Sequence, residues 1–420
     1  MDKILINGGK RLKGEVRISG AKNAALPILV SSLLSREEDV LSNIPSLVDV
    51  KTVCRLLSQI GAGIKTENGK ISVISKDINS CEAPYDLVKT MRASVLSLGP
   101  LVSRFGEARV SLPGGCAIGA RPVNLHLTGF KKMGAFVKIE HGYINLKADR
   151  LKGARIYLDI PSVTATENLM MAAVLADGVT TIENAACEPE IADLAEFLIK
   201  KGARIKGTGS EEIIIEGVSE LHGAEHRIIP DRIEAGTFII AAAITGGDVL
   251  IMDCIPEHLE ALIIKLKEAG IEIKEEDDRI KIRSSKRHDA VDIKTMYYPG
   301  FPTDMQAQMM TLMSIAEGAS VITETIFESR FNHAGELRRM GADIKIHGNS
   351  AIIKGVSGLS GAPVMASDLR ASASLIIAGL AAEGTTEISR IYHLDRGYEH
   401  IEEKLSLLGA DIKRVRELRS

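Results

Sequence analysis

The chain has 420 residues, of which 45% are hydrophobic and 25% charged, with a formal net charge of −3. This length predicts two domains, and the composition is typical of a soluble globular protein. The charge argues against a basic surface for nucleic acid, and the few aromatic residues (4%, with no Trp) argue against base-stacking surfaces.

The five cysteines are widely scattered, at Cys54, Cys81, Cys116, Cys187 and Cys254. None forms a CxxC pair, which argues against a disulfide framework and a structural zinc site. The N-terminus lacks an apolar core of signal-peptide length, and apolar segments such as residues 235–247 are too short to span a bilayer. We therefore expect a cytoplasmic protein that inserts into no membrane.

A short glycine-led phrase recurs six times along the chain. Its copies begin at Gly61, Gly134, Gly202, Gly270, Gly341 and Gly409, which are 73, 68, 68, 71 and 68 residues apart. Such self-similarity indicates a repeat architecture. The spacing predicts six units of about seventy residues that nearly fill the chain.

Each unit has the same order of parts. A helix that is apolar all round, and therefore buried, comes first; a β-rich strand, an amphipathic helix and a strand with a tight turn follow. The recurring glycine stands where a helix C-cap is needed. This order predicts an α/β fold with buried helices inside the sheets, in two domains of three units that meet near residues 226–236.

One connection in the second unit is longer than its equivalents. It takes 22 residues from Leu112 to Gly134, against about 16 to 19 in the other units. The added segment, PGGCAIGA, is rich in glycine, which suits a mobile lid. Pro122 is predicted at the first position of the next helix, and Arg121 at its N-terminus, where anions are favoured.

Cys116 lies within this added segment. Free cysteines are most often buried structural thiols. We accept that interpretation for Cys54 and Cys254, which lie in apolar periodic segments, and regard Cys81 and Cys187 as incidental. A glycine-rich loop cannot bury Cys116 well, and Arg121 and the helix end would lower its pKa, so Cys116 is the candidate reactive thiol.

Several cations also stand at the ends of elements. Lys22 and Asn23 lie between a Ser-Gly turn and a buried helix, and Arg92, Arg370 and Arg396 each lie near a helix start. Each could be an ordinary surface residue. Together with Arg121 they could instead form a clamp for a polyanionic substrate.

Asp304 follows a Pro- and Gly-rich loop and precedes a buried helix. An Asp in that position is most often an N-cap, which the sequence favours here. It could also be a general base for a substrate hydroxyl, and the two roles can coexist.

Eight motifs together resemble the UDP-N-acetylglucosamine 1-carboxyvinyltransferase family along the whole chain: SGAKNAALP, TMRAS, LPGGCAIGARPVNLH, TATEN, DRIEAGTF, PGFPTDMQAQ, SDLRASA and LDRGYE. The resemblance implies an inside-out α/β barrel with two domains of three βαβαββ units each. One domain would span residues 22–229, and the other residues 1–21 plus 230–420.

The resemblance also implies a reaction. The enolpyruvyl group of phosphoenolpyruvate would pass to the 3-hydroxyl of UDP-N-acetylglucosamine through a tetrahedral ketal, with release of phosphate. This is the first committed step of peptidoglycan synthesis in the bacterial cytoplasm. The substrates would be the only small-molecule partners, and no metal or organic cofactor is implied. The oligomeric state is left open, with a monomer preferred.

The residue roles are carried over by position. Cys116 would protonate C3 of phosphoenolpyruvate or bond to it, with product release as a further alternative, and Asp304 would be the base near the sugar hydroxyl. Lys22, Arg121 and Arg396 resemble the phosphoenolpyruvate clamp, with Arg92 and Arg370 near it. The remaining residues that resemble substrate contacts are Asn23, Pro122, Val123, Asn124, Leu125, Ser162, Val163, Thr164 and Ile326.

Three positions depart from the family pattern. Many members have Lys, Gly and Asp where this chain has Ile160, Thr164 and Asn124. All three lie on the nucleotide side, so a second, paralogous copy of the enzyme is one explanation. The rival interpretations are a shikimate-type enolpyruvyl transferase, against which the loop cysteine argues, and a non-catalytic paralogue that binds the nucleotide sugar.

Overall fold

The structure is a computed structural model that describes residues 2–88, 91–112, 123–284, 287–327 and 330–416, and only the backbone of Arg92. These residues divide into two compact units. One unit comprises the described residues up to Ser19 and from Pro230 onward, and the other runs from Gly20 to Ile229.

The described residues form thirteen helices and twenty-four strands. The helices are α1 (Lys22–Ser31), α2 (Val48–Ile60), α3 (Tyr85–Val88), α4 (Leu98–Phe105), α5 (Asn124–Lys132), α6 (Val163–Ala173), α7 (Pro189–Lys200), α8 (Arg232–Ile244), α9 (Glu260–Glu268), α10 (Gln306–Met313), α11 (His333–Arg339), α12 (Leu369–Ala381) and α13 (Ile401–Leu407). Short 3₁₀ segments include Arg92–Ser97, Thr303–Met305 and Ile391–Arg396.

The strands in chain order are β1 (Asp2–Asn7), β2 (Lys13–Arg17), β3 (Glu38–Ser42), β4 (Gly63–Glu67), β5 (Lys70–Ile74), β6 (Glu82–Ala83), β7 (Glu107–Ser111), β8 (Phe136–Glu140), β9 (Tyr143–Lys147), β10 (Arg155–Tyr157), β11 (Val179–Glu183), β12 (Arg204–Lys206), β13 (Glu212–Glu216), β14 (Glu225–Arg227), β15 (Asp248–Met252), β16 (Glu272–Glu276), β17 (Arg279–Arg283), β18 (Ile293–Lys294), β19 (Ala319–Thr323), β20 (Asp343–His347), β21 (Ser350–Lys354), β22 (Pro363–Met365), β23 (Thr385–Ser389) and β24 (Asp411–Arg416).

These strands form six four-stranded sheets, three in each unit. The order β10-β11-β13-β12 is typical, with β10 parallel to β11 and the other two pairs antiparallel. The α/β architecture of six similar units is therefore confirmed. Each sheet has one edge strand that pairs in parallel with its neighbour, and the periodicity of the sequence did not indicate these strands. They are only two to five residues long, as in Glu82–Ala83 and Lys13–Arg17.

Within the described residues the chain passes between the units at two places, and in each case a strand pairs in one unit while the next helix lies in the other. β2 pairs in parallel with β15, although α1 follows it in the chain. β14 pairs in parallel with β3, although α8 follows it. The first strand, β1, lies between β23 and β24, so both ends of the described chain belong to one sheet.

The apolar helices form the centre of each unit, as predicted. Every residue of α8 from Ile233 to Ile244 is buried, and α8 packs against both α10 and α12. The sheets lie outside these helices. In β15, for example, Val249 and Ile251 are buried and alternate with less buried residues, as expected for a sheet that packs on one face only. Helices that are apolar all round require this arrangement, since no face of them can meet water.

A recurring glycine follows each amphipathic helix: Gly61 is the C-cap of α2, as predicted, and the other five glycines come one residue after the C-cap. All six have φ between 82° and 113°, the left-handed region in which a side chain is strained. Gly61, for example, caps α2 and donates its N–H to the carbonyl oxygens of Leu57 and Ser58. Among the described residues, no helix is long and apolar enough to cross a membrane.

Candidate functional site

Asp304 lies between two arginines in the unit that begins at Pro230. One carboxylate oxygen, Oδ1, is 2.7 Å from Nη2 of Arg330. The other, Oδ2, accepts hydrogen bonds from Nε and Nη2 of Arg370 at 3.0 and 2.8 Å. The predicted N-cap role of Asp304 is wrong, since it lies inside the 3₁₀ segment Thr303–Met305 and no side chain caps α10.

Two buried arginines lie beneath an accessible carboxylate in this cluster. Arg330 and Arg370 are 5% and 3% exposed, whereas the Asp304 side chain is 25% exposed. Burial raises the pKa of the Asp304 carboxyl, but the guanidiniums of Arg370 and Arg330 outweigh burial and hold that pKa well below its usual value. Asp304 is therefore ionised at neutral pH and only weakly basic.

Arg330 is not among the site residues predicted from the sequence. Its Nη1 donates to Thr303 Oγ1 at 2.9 Å, and Thr303 donates to Glu324 Oε2 at 2.8 Å. Glu324 Oε1 also accepts the N–H of Ile326 at 2.8 Å. The structure thus brings the predicted residue Ile326 into the network that holds Asp304. The only signal in the sequence was an arginine between two phenylalanines, which is weak.

Arg370 is held in place by the N-cap of its own helix, α12, and by the ring of Tyr398. Asp368 is the N-cap of α12 and accepts the backbone N–H of Arg370 at 3.0 Å. The guanidinium carbon of Arg370 lies 5.4 Å from the ring centroid of Tyr398. Its Nη1 is buried without a hydrogen-bond partner among the described residues.

Lys22 and Asn23 are the first two residues of α1 in the other unit, so they lie in the first turn of the helix and not before it. Lys22 Nζ lies 3.7 Å from Asp49 Oδ2, and the two side chains are 12% and 5% exposed. Lys22 is therefore mostly buried beside a carboxylate, which does not fit a lysine on a solvated surface. A cation held in this way at a helix start has a defined position, as anion recognition requires.

The residues predicted on the nucleotide side lie at the starts of two neighbouring helices. Ser162 caps α6 by accepting the N–H of Ala165, so Val163 and Thr164 form the first turn of that helix. Thr164 Oγ1 lies 3.4 Å from His126 Nε2, and His126 is on α5. This contact brings the predicted group Ser162 to Thr164 beside the group Val123, Asn124 and Leu125.

One sequence expectation about a helix start is wrong, and another concerns a residue outside the described part of the chain. α5 begins at Asn124 with Val123 as its N-cap, and the predicted helix position of Pro122 falls outside the described residues. Arg396 lies at the end of the 3₁₀ segment Ile391–Arg396, not near a helix start. The predicted site residues Cys116, Arg121 and Pro122, and the side chain of Arg92, lie outside the described part of the chain.

The other four cysteines are free and lie in unreactive surroundings. Burial raises the pKa of Cys54 to about 11 and that of Cys254 to about 12. Burial also raises the pKa of Cys81 and Cys187. Cys254 is buried as expected, and Cys54 is partly buried. Within the described residues, no group of three or more His, Cys, Asp or Glu side chains could hold a metal ion.

We expect Arg330→Met to raise the pKa of Asp304, because one of the two cations that lower it is lost. The Asp304 carboxyl should therefore titrate at a higher pH, which a ¹³C NMR titration of its side chain measures. The control is Arg338→Met, an exposed arginine on α11. An unchanged titration of Asp304 in Arg330→Met would show that Arg330 does not lower its pKa.

Comparison with known proteins places this geometry in a family. The family model of EPSP synthase (3-phosphoshikimate 1-carboxyvinyltransferase) matches residues 6–405. The chain is 61% identical to the UDP-N-acetylglucosamine 1-carboxyvinyltransferase of Geotalea daltonii, over 99% of this chain and 100% of that protein. It is 59% identical to UDP-N-acetylglucosamine 1-carboxyvinyltransferase 1 of Caldanaerobacter subterraneus, over 98% and 99%.

Two solved structures have the same fold. The enolpyruvyl transferase NikO from Streptomyces tendae gives a TM-score of 0.89 at 26% identity, over 98% of each chain. EPSP synthase from Acinetobacter baumannii gives 0.78 at 20% identity, over 99% of this chain and 100% of that one, a likeness that shows the fold alone.

The fold and these matches define an enolpyruvyl transferase with the two-domain inside-out α/β fold. Within that class, the chain belongs to the UDP-N-acetylglucosamine 1-carboxyvinyltransferase family.

Proposed function

We infer that this transferase moves the enolpyruvyl group of phosphoenolpyruvate to the 3-hydroxyl of UDP-N-acetylglucosamine and releases phosphate. The observation that carries this inference is the accessible Asp304 carboxylate between the buried arginines Arg330 and Arg370. Such a cluster offers a proton acceptor for a hydroxyl and cationic donors for an anion side by side. The substrates follow from relatives that are 59–61% identical over their whole length.

The reaction proceeds by addition and then elimination. In the addition, the sugar 3-oxygen bonds to C2 of phosphoenolpyruvate, C3 gains a proton from Cys116, and the hydroxyl proton passes to Asp304. In the elimination, C3 returns a proton to the Cys116 thiolate and the C2–O bond to phosphate breaks, which restores the enol double bond. Phosphate leaves with the electron pair of that bond.

Asp304 acts as a weak base in this scheme. Because the two guanidiniums hold its pKa well below the usual value, it cannot remove a proton from a free alcohol. It accepts the proton as the C2–O bond forms, when the sugar oxygen has become positively charged and strongly acidic. The same guanidiniums supply positive charge for the anionic substrate.

The remaining predicted residues bind the two substrates. Lys22, Arg121 and Arg396 hold phosphoenolpyruvate, with Arg92 and Arg370 close by, since a triply charged ligand needs several fixed cations. The starts of α5 and α6, at Val123 to Leu125 and Ser162 to Thr164, bind the nucleotide. The reaction would supply peptidoglycan synthesis in a bacterial cytoplasm and needs no further cofactor.

Phosphate release tests this proposal. The purified protein is incubated with phosphoenolpyruvate alone, with UDP-N-acetylglucosamine, or with shikimate 3-phosphate. We expect release only with the nucleotide sugar, together with an enolpyruvyl product by mass spectrometry. Release with shikimate 3-phosphate would favour the EPSP synthase activity that names the family model. If no phosphate is released with either acceptor, the result would favour the alternative that the protein binds the nucleotide sugar without catalysing a reaction.

A further inference from the structure

A chain of hydrogen bonds with a defined direction lies beneath the starts of α5 and α6. The N–H of Gly99 donates to Asn168 Oδ1 at 2.7 Å, and Asn168 Nδ2 donates to the carbonyl oxygen of Val95 at 3.0 Å. Because a backbone N–H can only donate and a carbonyl can only accept, these two partners determine which end of the amide is oxygen. Asn168 is fully buried, so water cannot replace either partner and the amide keeps this orientation.

The amide in turn determines the tautomer of His126. Asn168 Nδ2 lies 2.9 Å from His126 Nδ1, and its second N–H points to that nitrogen. Nδ1 must therefore accept, which leaves the proton of a neutral imidazole on Nε2. Burial lowers the pKa of His126 to about 4, so the ring is neutral at physiological pH.

The protonated Nε2 then directs Thr164. It lies 3.4 Å from Thr164 Oγ1, which accepts this hydrogen bond through one lone pair. Among the described residues, the Thr164 hydroxyl makes no other hydrogen bond. Its own proton is therefore available, and it stands in the first turn of α6, where backbone N–H groups have no intrahelical partner.

We propose that Thr164 is a hydrogen-bond donor to an acceptor oxygen of the bound nucleotide, and that His126 and Asn168 are positioning residues that keep this donor in place. The acceptor is a phosphate or carbonyl oxygen of the uridine diphosphate group, so the inference rests on the proposed function. At the neighbouring departure from the family pattern, Ile160 is 45% exposed and offers no donor. Thr164 supplies a donor where many members have glycine.

The test measures binding of uridine diphosphate by titration calorimetry. Thr164→Val keeps the shape of the side chain and removes the hydroxyl, and we expect it to weaken binding about 10- to 100-fold, the loss of one hydrogen bond to a charged group. Thr164→Ser keeps the donor and should stay within about threefold of the wild type. Thr128→Val, an exposed threonine on α5, is the matched control and should bind normally.

Kinetics and spectroscopy separate positioning from a structural effect. In Thr164→Val the KM for UDP-N-acetylglucosamine should rise, while kcat and the KM for phosphoenolpyruvate stay unchanged. The ¹⁵N spectrum of the wild type should show His126 protonated at Nε2 only, with the signal assigned by its loss in His126→Gln. A proton on Nδ1, or equal binding by Thr164→Val and the wild type, would overturn the inference.

The two proposals can fail separately. If the wild type binds uridine diphosphate but releases no phosphate with UDP-N-acetylglucosamine, the proposed function fails, and the binding variants still decide the role of Thr164. If the wild type shows no binding of uridine diphosphate, the inference about Thr164 is overturned whatever the activity assay shows.

Discussion

Replacing Asp304 by asparagine is expected to lower kcat by a factor of about 10² to 10⁴, the range that a positioned general base contributes. An amide cannot take up the hydroxyl proton, and it no longer neutralises Arg330 and Arg370, which contact the carboxylate at 2.7 and 2.8 Å. Phosphate release under saturating substrates measures the effect. The control is Asp343→Asn, an exposed carboxylate on β20.

The same variant should also unfold more easily, because it leaves two buried guanidiniums without their anion. We expect a loss of about 3 kcal/mol in the free energy of unfolding at pH 7. Since the native pKa of Asp304 lies below its unfolded value, this stabilisation is complete above about pH 4 and is lost as the pH falls through the native pKa. Activity equal to the wild type in a stably folded variant would exclude Asp304 as the base.

We expect fosfomycin, an epoxide that alkylates thiolates, to add to Cys116 alone and to abolish activity. At pH 7.5 less than about one in a thousand of the Cys54 and Cys254 side chains would be thiolate, because burial raises their pKa to about 11 and about 12. Burial also disfavours the thiolates of Cys81 and Cys187. Mass spectrometry of the treated protein shows which cysteine carries the adduct.

The labelling should be faster when UDP-N-acetylglucosamine is present, and Cys116→Asp provides the control. A carboxyl can still donate a proton to C3 but reacts poorly with an epoxide, so this variant should keep part of the activity and resist the drug. Labelling of any other cysteine, or full activity in a protein that carries the adduct on Cys116, would contradict the assigned role.

The repeat architecture could be predicted from the sequence because its signals are local. A left-handed glycine such as Gly61 ends a helix through contacts within a few residues, and an all-round apolar segment such as α8 must be buried wherever it lies. The short parallel edge strands gave no such signal. Glu82–Ala83 is a strand only because β7 lies beside it.

The site residues also fall into two groups, those that the sequence could identify and those that it could not. Lys22, Asp304 and Arg370 could be named from motifs, because each motif is a continuous run of residues. The partners of those residues could not be named. Arg370 contacts a carboxylate 66 residues away, and Asn168 contacts the ring of His126 from a different helix. Such pairs depend on how the repeats pack against each other, and the spacing of residues along the chain does not reveal that packing.

The sequence alone therefore determined the α/β class, the six repeats and the motifs of the enolpyruvyl transferases, since short-range periodicity and capping carry that information. The tertiary structure alone decided that Asp304 is an anion between two arginines instead of a helix cap, and that Lys201 and Asp39 form a fully buried ion pair. A side chain's charge state depends on its neighbours in space, and packing brings those neighbours from distant parts of the chain.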